Sequence, residues 1–150
     1  MHQVSECEFC RIVLGKEPAR IVCETPMTLA FFPPQPAVLG HTLVIPKRHI
    51  PDLWSIDEPL ANHLLHVALH VSHAIRAAMN PDGLNLITSA GEAASQTIFH
   101  LHLHVVPRWH HDRIGNIWPP KTDYDNAIKD EIANRIRHAC QRSMAAHNNR

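Results

Sequence analysis

The stretch Phe99-His100-Leu101-His102-Leu103-His104-Val105-Val106-Pro107 decides how this chain is read. Side chains of a β-strand alternate between faces with period two. In a strand over Ile98–Val106, His100, His102 and His104 share one face, with successive rings roughly 7 Å apart. Phe99, Leu101, Leu103 and Val105 share the other and are free to enter a core. The expectation is a row of three imidazoles on the surface of a rigid sheet, a support that holds a reactive group in place. An ordinary solvent face draws on Lys, Glu, Thr and Ser rather than three histidines in register. A metal site built from all three is the other alternative, and it requires the strand to bend until the rings converge.

Outward from that strand, the remaining elements follow from periodicity. Leu84–Thr88 reads as the strand before it, and Asn80-Pro81-Asp82-Gly83 stops a long helix over Asp57–Met79. That helix repeats Leu60, Leu64, Val67, Val71, Ala74, Ile75 and Ala78 at helical spacing. His41–Pro46 is a further strand. Arg20–Glu24 and Thr28–Phe32 flank Thr25-Pro26 and read as a hairpin. Pro33-Pro34-Gln35-Pro36 is a loop, because consecutive prolines remove ladder donors. Cys7–Leu14 is a short helix ending at Gly15, and Asp125–Ala146 is an amphipathic helix with Ile128, Ile132, Ile136, Ala139 and Cys140 on one stripe. Short strands without helical crossovers imply an α+β domain, an antiparallel sheet with helices on one side.

Composition narrows the class. The chain has 150 residues, 45% hydrophobic and 19% charged, which is a globular profile and enough for one core. Basic and acidic residues number 14 each, so the formal net charge is zero. The electrostatic footprint of a nucleic-acid or anionic-membrane binder is absent. Met1–Cys10 lacks a signal-peptide pattern, and no apolar run is long enough for a membrane span. A cytoplasmic protein is the expectation. Histidine also numbers 14, which points to imidazole chemistry: titration near neutrality, metal ligation or nucleophilic attack.

Cys7 and Cys10 have the spacing of a zinc half-site. A redox pair needs a preceding strand, which the six residues before Cys7 do not supply. Two free surface thiols remain the alternative. Cys23 and Cys140 read as small buried hydrophobes. His63, His66, His70 and His73 line the long helix; they read as a polar flank, with metal chelation the other option. Trp54, Trp109 and Trp118 are available for contacts.

His100-Leu101-His102-Leu103-His104-Val105-Val106 resembles the signature of the histidine triad (HIT) family. Gly40–His49 resembles the family's central strand, Gly91–Thr97 its phosphate-side loop, and Trp118-Pro119-Pro120-Lys121 its C-terminal segment. The resemblance implies one domain over residues 1–150. Within it, 7–49 carries the zinc half-site and first strands, 84–107 the triad region, and 123–146 the C-terminal helix. It implies a five-stranded antiparallel sheet with two main helices, a homodimer, and hydrolysis or transfer at the α-phosphorus of a nucleotide conjugate.

By position, His102 matches the nucleophile, and His104 and His41 match histidines that position the phosphate or orient the nucleophile. Gln96 and Thr97 match phosphate contacts; Ser89 and Ser95 stand on the pocket wall where the family usually has asparagine and glycine. A zinc-binding branch joins a matching cysteine pair to two histidines, here His49 and His100, giving a closed structural site of Cys7, Cys10, His49 and His100. The family's ribose-holding aspartate is Pro33 here, followed by Pro34, which removes a hydrogen bond worth about 1.5–3 kcal/mol. Gln35 or Glu24 is the candidate replacement. Phosphoramidate hydrolysis is the expected reaction, with zinc as cofactor. The alternatives are a dinucleoside polyphosphate hydrolase and a zinc-stabilised nucleotide-binding regulatory dimer with little turnover.

Overall fold

The computed structural model describes residues 7–148; Met1–Glu6 lie outside the described residues. The domain expected over residues 1–150 divides into two compact units, one running to Gly115 and one from Asn116 onwards.

The first unit holds α1 (Glu8–Val13), β1 (Arg20–Glu24), β2 (Thr28–Phe32), β3 (Thr42–Pro46), α2 (Glu58–Met79), β4 (Gly83–Ile87) and β5 (Leu103–Arg108). The strands form one antiparallel sheet in the order β1-β2-β3-β5-β4. Thr25 closes the β1–β2 turn, its hydroxyl accepting from the amides of Met27 and Thr28. α2 starts at Asp57, whose carboxylate accepts from the Leu60 amide, and ends at Asn80 in the left-handed region with φ 48°. The second unit contains α3 (Asn126–Asn148), where Ile128, Ile132 and Ile136 are exposed. Cys140 is also exposed, against the expectation of burial, whereas Cys23 packs against the α2-side core.

Helices cover both faces of the sheet, not one as expected. Ala30, Val44, Leu103 and Val105 face α2, with Leu64, Val67, Val71 and Ile75 opposite them. Leu29, Phe31, Leu43 and Ile45 face the other way, onto Phe9, Cys10 and Ile12 of α1. β2 and β3 are apolar at nearly every position, so neither face can remain in water.

The triad strand is shorter and later than the sequence suggests. β5 begins at Leu103 and runs through Pro107 to Arg108. Its pairing with β3 stops at Leu103 opposite Val44. One further pair of steps would bring it to Pro46, which has no N–H to offer. The Leu101 amide donates to the Ile50 carbonyl instead, at 2.6 Å. Alternation nevertheless persists through 100–105: Leu101, Leu103 and Val105 join the α2-side core.

Candidate active site and metal cage

His100 and His102 lie under α1 rather than on a bare sheet surface, and His104 stands beside His41. His100 is fully buried, His102 is 8% exposed and His104 is half-buried. Phe9 packs its ring edge-on against both His102 and His100, at centroid distances of 5.3 and 5.8 Å. His102 and His104 stand 4.8 Å apart, and His104 and His41 5.2 Å.

Backbone groups fix the proton positions. A carbonyl only accepts, so the 2.7 Å contact between His102 Nδ1 and the His100 carbonyl places a proton on Nδ1. In the neutral ring the lone pair then sits on Nε2. No hydrogen bond engages that nitrogen, and no buried side-chain nitrogen or oxygen lacks a partner among the described residues; His102 Nε2 therefore reaches solvent. On the other side, the Ala37 amide donates to His41 Nδ1 at 3.1 Å. The proton of neutral His41 is then on Nε2, which donates to His104 Nδ1 at 2.9 Å. His104 is left with its proton on Nε2, also open to solvent by the same reasoning. A nucleophilic lone pair and an N–H donor thus stand side by side. The Thr88 hydroxyl anchors the segment by donating to the His102 carbonyl at 2.9 Å.

Burial keeps these rings neutral. His102 has its pKa lowered by desolvation, partly opposed by the bond to the His100 carbonyl. His104 is pushed down to about 4 by burial and then by His102 and His41; His41 is lowered by burial and by His102. An uncharged His102 is the form that can attack.

A second cluster adjoins the first. Cys7, Cys10, His49 and His100 bring four ligand atoms within 4.8 Å of one another. His100 Nδ1 lies 3.4 Å from Cys7 Sγ and 3.5 Å from Cys10 Sγ, and His49 Nδ1 lies 3.3 Å from Cys10 Sγ. The His100 Nε2–H donates to the Pro46 carbonyl at 2.8 Å, which aims the Nδ1 lone pair at the sulfurs. Burial and the neighbouring Cys7 push the Cys10 thiol up to about 11. Two thiolates packed together are unfavourable without a cation, and a divalent metal reverses that balance. The donor set and closure fit a four-coordinate structural zinc site.

The phosphate-side loop departs from expectation in one respect. Ser95 and Thr97 are exposed and Ser89 is half-buried, all open to a ligand. Gln96 is buried and braces the loop: its Oε1 accepts from the Gly91 amide at 2.8 Å, and its Nε2 donates to the Pro51 and Ile98 carbonyls. Its amide donors are therefore directed at backbone rather than at a phosphate. A cavity of about 700 Å³ is lined by Ile12, Phe31, Phe32, Pro34, Glu8 and Glu17, among others. Glu17 is tied to Arg11, and Glu24 is paired with Lys47 at 2.6 Å. The stripe on α2 does not converge on a metal site among the described residues: His63 bonds Thr25 at 3.0 Å, and His66, His70 and His73 are exposed. Sequence reading missed Phe9, Thr88 and the Ala37 amide. Only Phe9 carried a signal, lying between the two cysteines.

The HIT domain family profile matches residues 15–111. "Protein hit" of Bacillus subtilis is 37% identical over 135 residues, covering 89% of this chain and 92% of that protein. Adenylylsulfatase HINT3 of Arabidopsis thaliana is 32% identical over 142 residues, covering 91% and 71% respectively. The crystal structure of a Zn-bound histidine triad family protein from Mycobacterium smegmatis superposes with TM-score 0.71 at 37% identity, covering 79% of this chain and 86% of that one. The chain belongs to the HIT family of nucleotide-binding hydrolases and transferases.

Proposed function

We propose that this protein hydrolyses nucleoside phosphoramidates or related nucleotidyl conjugates at the α-phosphorus, through a covalent nucleotidyl-His102. The observation that carries the reading is the lone pair on His102 Nε2, held by the Nδ1–H to the His100 carbonyl and open to solvent beside the His104 donor. In the first step Nε2 bonds to phosphorus, the bond from phosphorus to the leaving amine breaks, and the amine takes a proton from water, releasing a hydroxide that the proton set free in the second step neutralises. The ring becomes a cation whose Nδ1–H remains on the His100 carbonyl, which stabilises the charge. Water then attacks phosphorus, the phosphorus–Nε2 bond breaks, and nucleoside monophosphate and a proton leave. Two modest barriers replace one large one. His104 Nε2–H, oriented by His41, binds a non-bridging oxygen as charge develops, with Ser89, Ser95 and Thr97 as further contacts. The relative in Arabidopsis, by its name an adenylylsulfatase, supports a nucleotidyl conjugate as the substrate class.

Zinc is the proposed occupant of the Cys7, Cys10, His49 and His100 cage, where it supplies rigidity rather than chemistry on substrate. A homodimer is supported by exposed Leu65 and Leu69 on α2 and exposed Leu84 and Leu86 on the edge strand β4. Thiol ligands suit a reducing cytoplasm. Among the described residues no helix is long and apolar enough to cross a membrane.

Mass spectrometry of protein quenched during turnover of an adenosine phosphoramidate tests the reaction. Nucleotidylated His102 is expected, and His102→Ala abolishes both the adduct and turnover. Wild-type turnover in His102→Ala refutes the assignment. Tight nucleotide binding with no adduct points instead to the regulatory dimer.

A further inference from the structure

The residues that carry the nucleophile lie outside the backbone ladder of the sheet. Among the described residues the ladder of β5 ends at Leu103 against β3 and at His104 against β4. His100 and His102 precede it. What holds this segment is the Leu101 amide on Ile50, the Leu101 side chain in the α2-side core, the Thr88 hydroxyl on the His102 carbonyl, the His100 ring on the Pro46 carbonyl, and the cage itself. His100 belongs to both sites: its ring faces Cys7 and Cys10, and its carbonyl accepts the His102 Nδ1 proton. Phe9, lying between the two cysteines on α1, touches His100, His102 and Phe31 edge-on.

We infer that the Cys7–Cys10–His49–His100 cage, acting through the His100 carbonyl and the Phe9 ring, is the positioning element for His102. It performs for the nucleophile what a strand ladder does elsewhere: it fixes tautomer and direction before substrate arrives. Two contacts transmit this. The His100 carbonyl can align with Nδ1–H only while its own ring is anchored at Pro46 and the sulfurs. The Phe9 ring stops His102 from rotating away only while both cysteines hold α1 down. Metal occupancy and thiol state therefore set turnover without touching substrate. The inference rests on His102 being the nucleophile, but its physical content is the orientation of that ring.

The test compares three samples with the metal-loaded wild type: chelator-treated wild type, Cys10→Ser, and Phe9→Leu, which leaves all four ligands in place. The probe is the Nδ1–H proton of His102 in imidazole ¹H–¹⁵N spectra, alongside metal content and steady-state kinetics on an adenosine phosphoramidate. The loaded wild type is expected to show a slowly exchanging Nδ1–H signal. Each perturbed sample is expected to lose or shift it, with kcat falling about 10- to 100-fold and KM little changed. Phe9→Leu is expected to do so with its metal retained. If Cys10→Ser fails to fold, chelation and Phe9→Leu still decide. An unchanged His102 signal in folded, metal-free protein, or in Phe9→Leu, overturns the inference. A chain that turns over no nucleotidyl conjugate but still couples the cage to this signal refutes the proposed reaction and not the coupling.

Discussion

If His41 acts only through His104, removing it matters far less once His104 is gone. The structure makes the order of effects calculable. The Ala37 amide sets the His41 tautomer, and His41 Nε2–H at 2.9 Å sets that of His104. His104→Ala removes a donor to a charged oxygen, a bond worth about 1.5–3 kcal/mol, or about a 10- to 100-fold loss of kcat/KM. His41→Ala removes a neutral bond, worth about 0.5–1.5 kcal/mol, and frees His104 to choose either tautomer; the expected loss is about 2- to 10-fold. The double variant is expected to match His104→Ala within about 0.5 kcal/mol rather than sum the two. The assay is kcat/KM on an adenosine phosphoramidate for all four corners of the cycle, with urea unfolding to confirm comparable stability. Additive losses refute the reasoning, because they mean that His41 contacts the substrate independently.

Gly40→Ala is expected to destabilise by about 2–4 kcal/mol in urea unfolding, because Gly40 has φ +89° and an added Cβ lies 2.6 Å from Met79 Sδ and 3.0 Å from Pro107 Cγ. His104 has its folded pKa lowered to about 4 from an ordinary 6.5. Between those values the unfolded chain binds protons that the folded one refuses, so stability is full above pH 6.5 and falls as pH drops toward 4; urea midpoints at about pH 7 and about pH 5 measure it. Chelation of purified protein is expected to lower Tm by about 5–10 °C, from about 2.7 kcal/mol at a metal concentration 100 times Kd, and unchanged melting refutes the structural role of the cage.

Hydrophobic alternation and helical spacing make five strands and the α2 stripe legible in the sequence, since both depend only on which neighbours share a face. The same rule separated Leu101, Leu103 and Val105 from the histidines, and it survived where the ladder did not. It could not show that β5 starts at Leu103, because that is decided by Pro46, a residue of another strand with no N–H to pair. Nor could it place α1 on the face opposite α2; the apolar positions of β2 and β3 needed cover on both sides, and only packing shows which helix supplies it.

The chemistry divides similarly. Residue types and spacing determined a row of three imidazoles and a cysteine pair, because imidazole and thiol reactivity belong to the side chain itself, and the resemblance to the HIT family singled out His102 among the three. Tertiary structure decided which nitrogen carries each proton, since that depends on the carbonyl of His100 and the amide of Ala37, groups every residue possesses and no sequence pattern marks. It also turned the Gln96 amide inward and brought Cys7, Cys10, His49 and His100 within reach of one ion. Those outcomes rest on distances between segments far apart along the chain, and such distances are set only when the core closes.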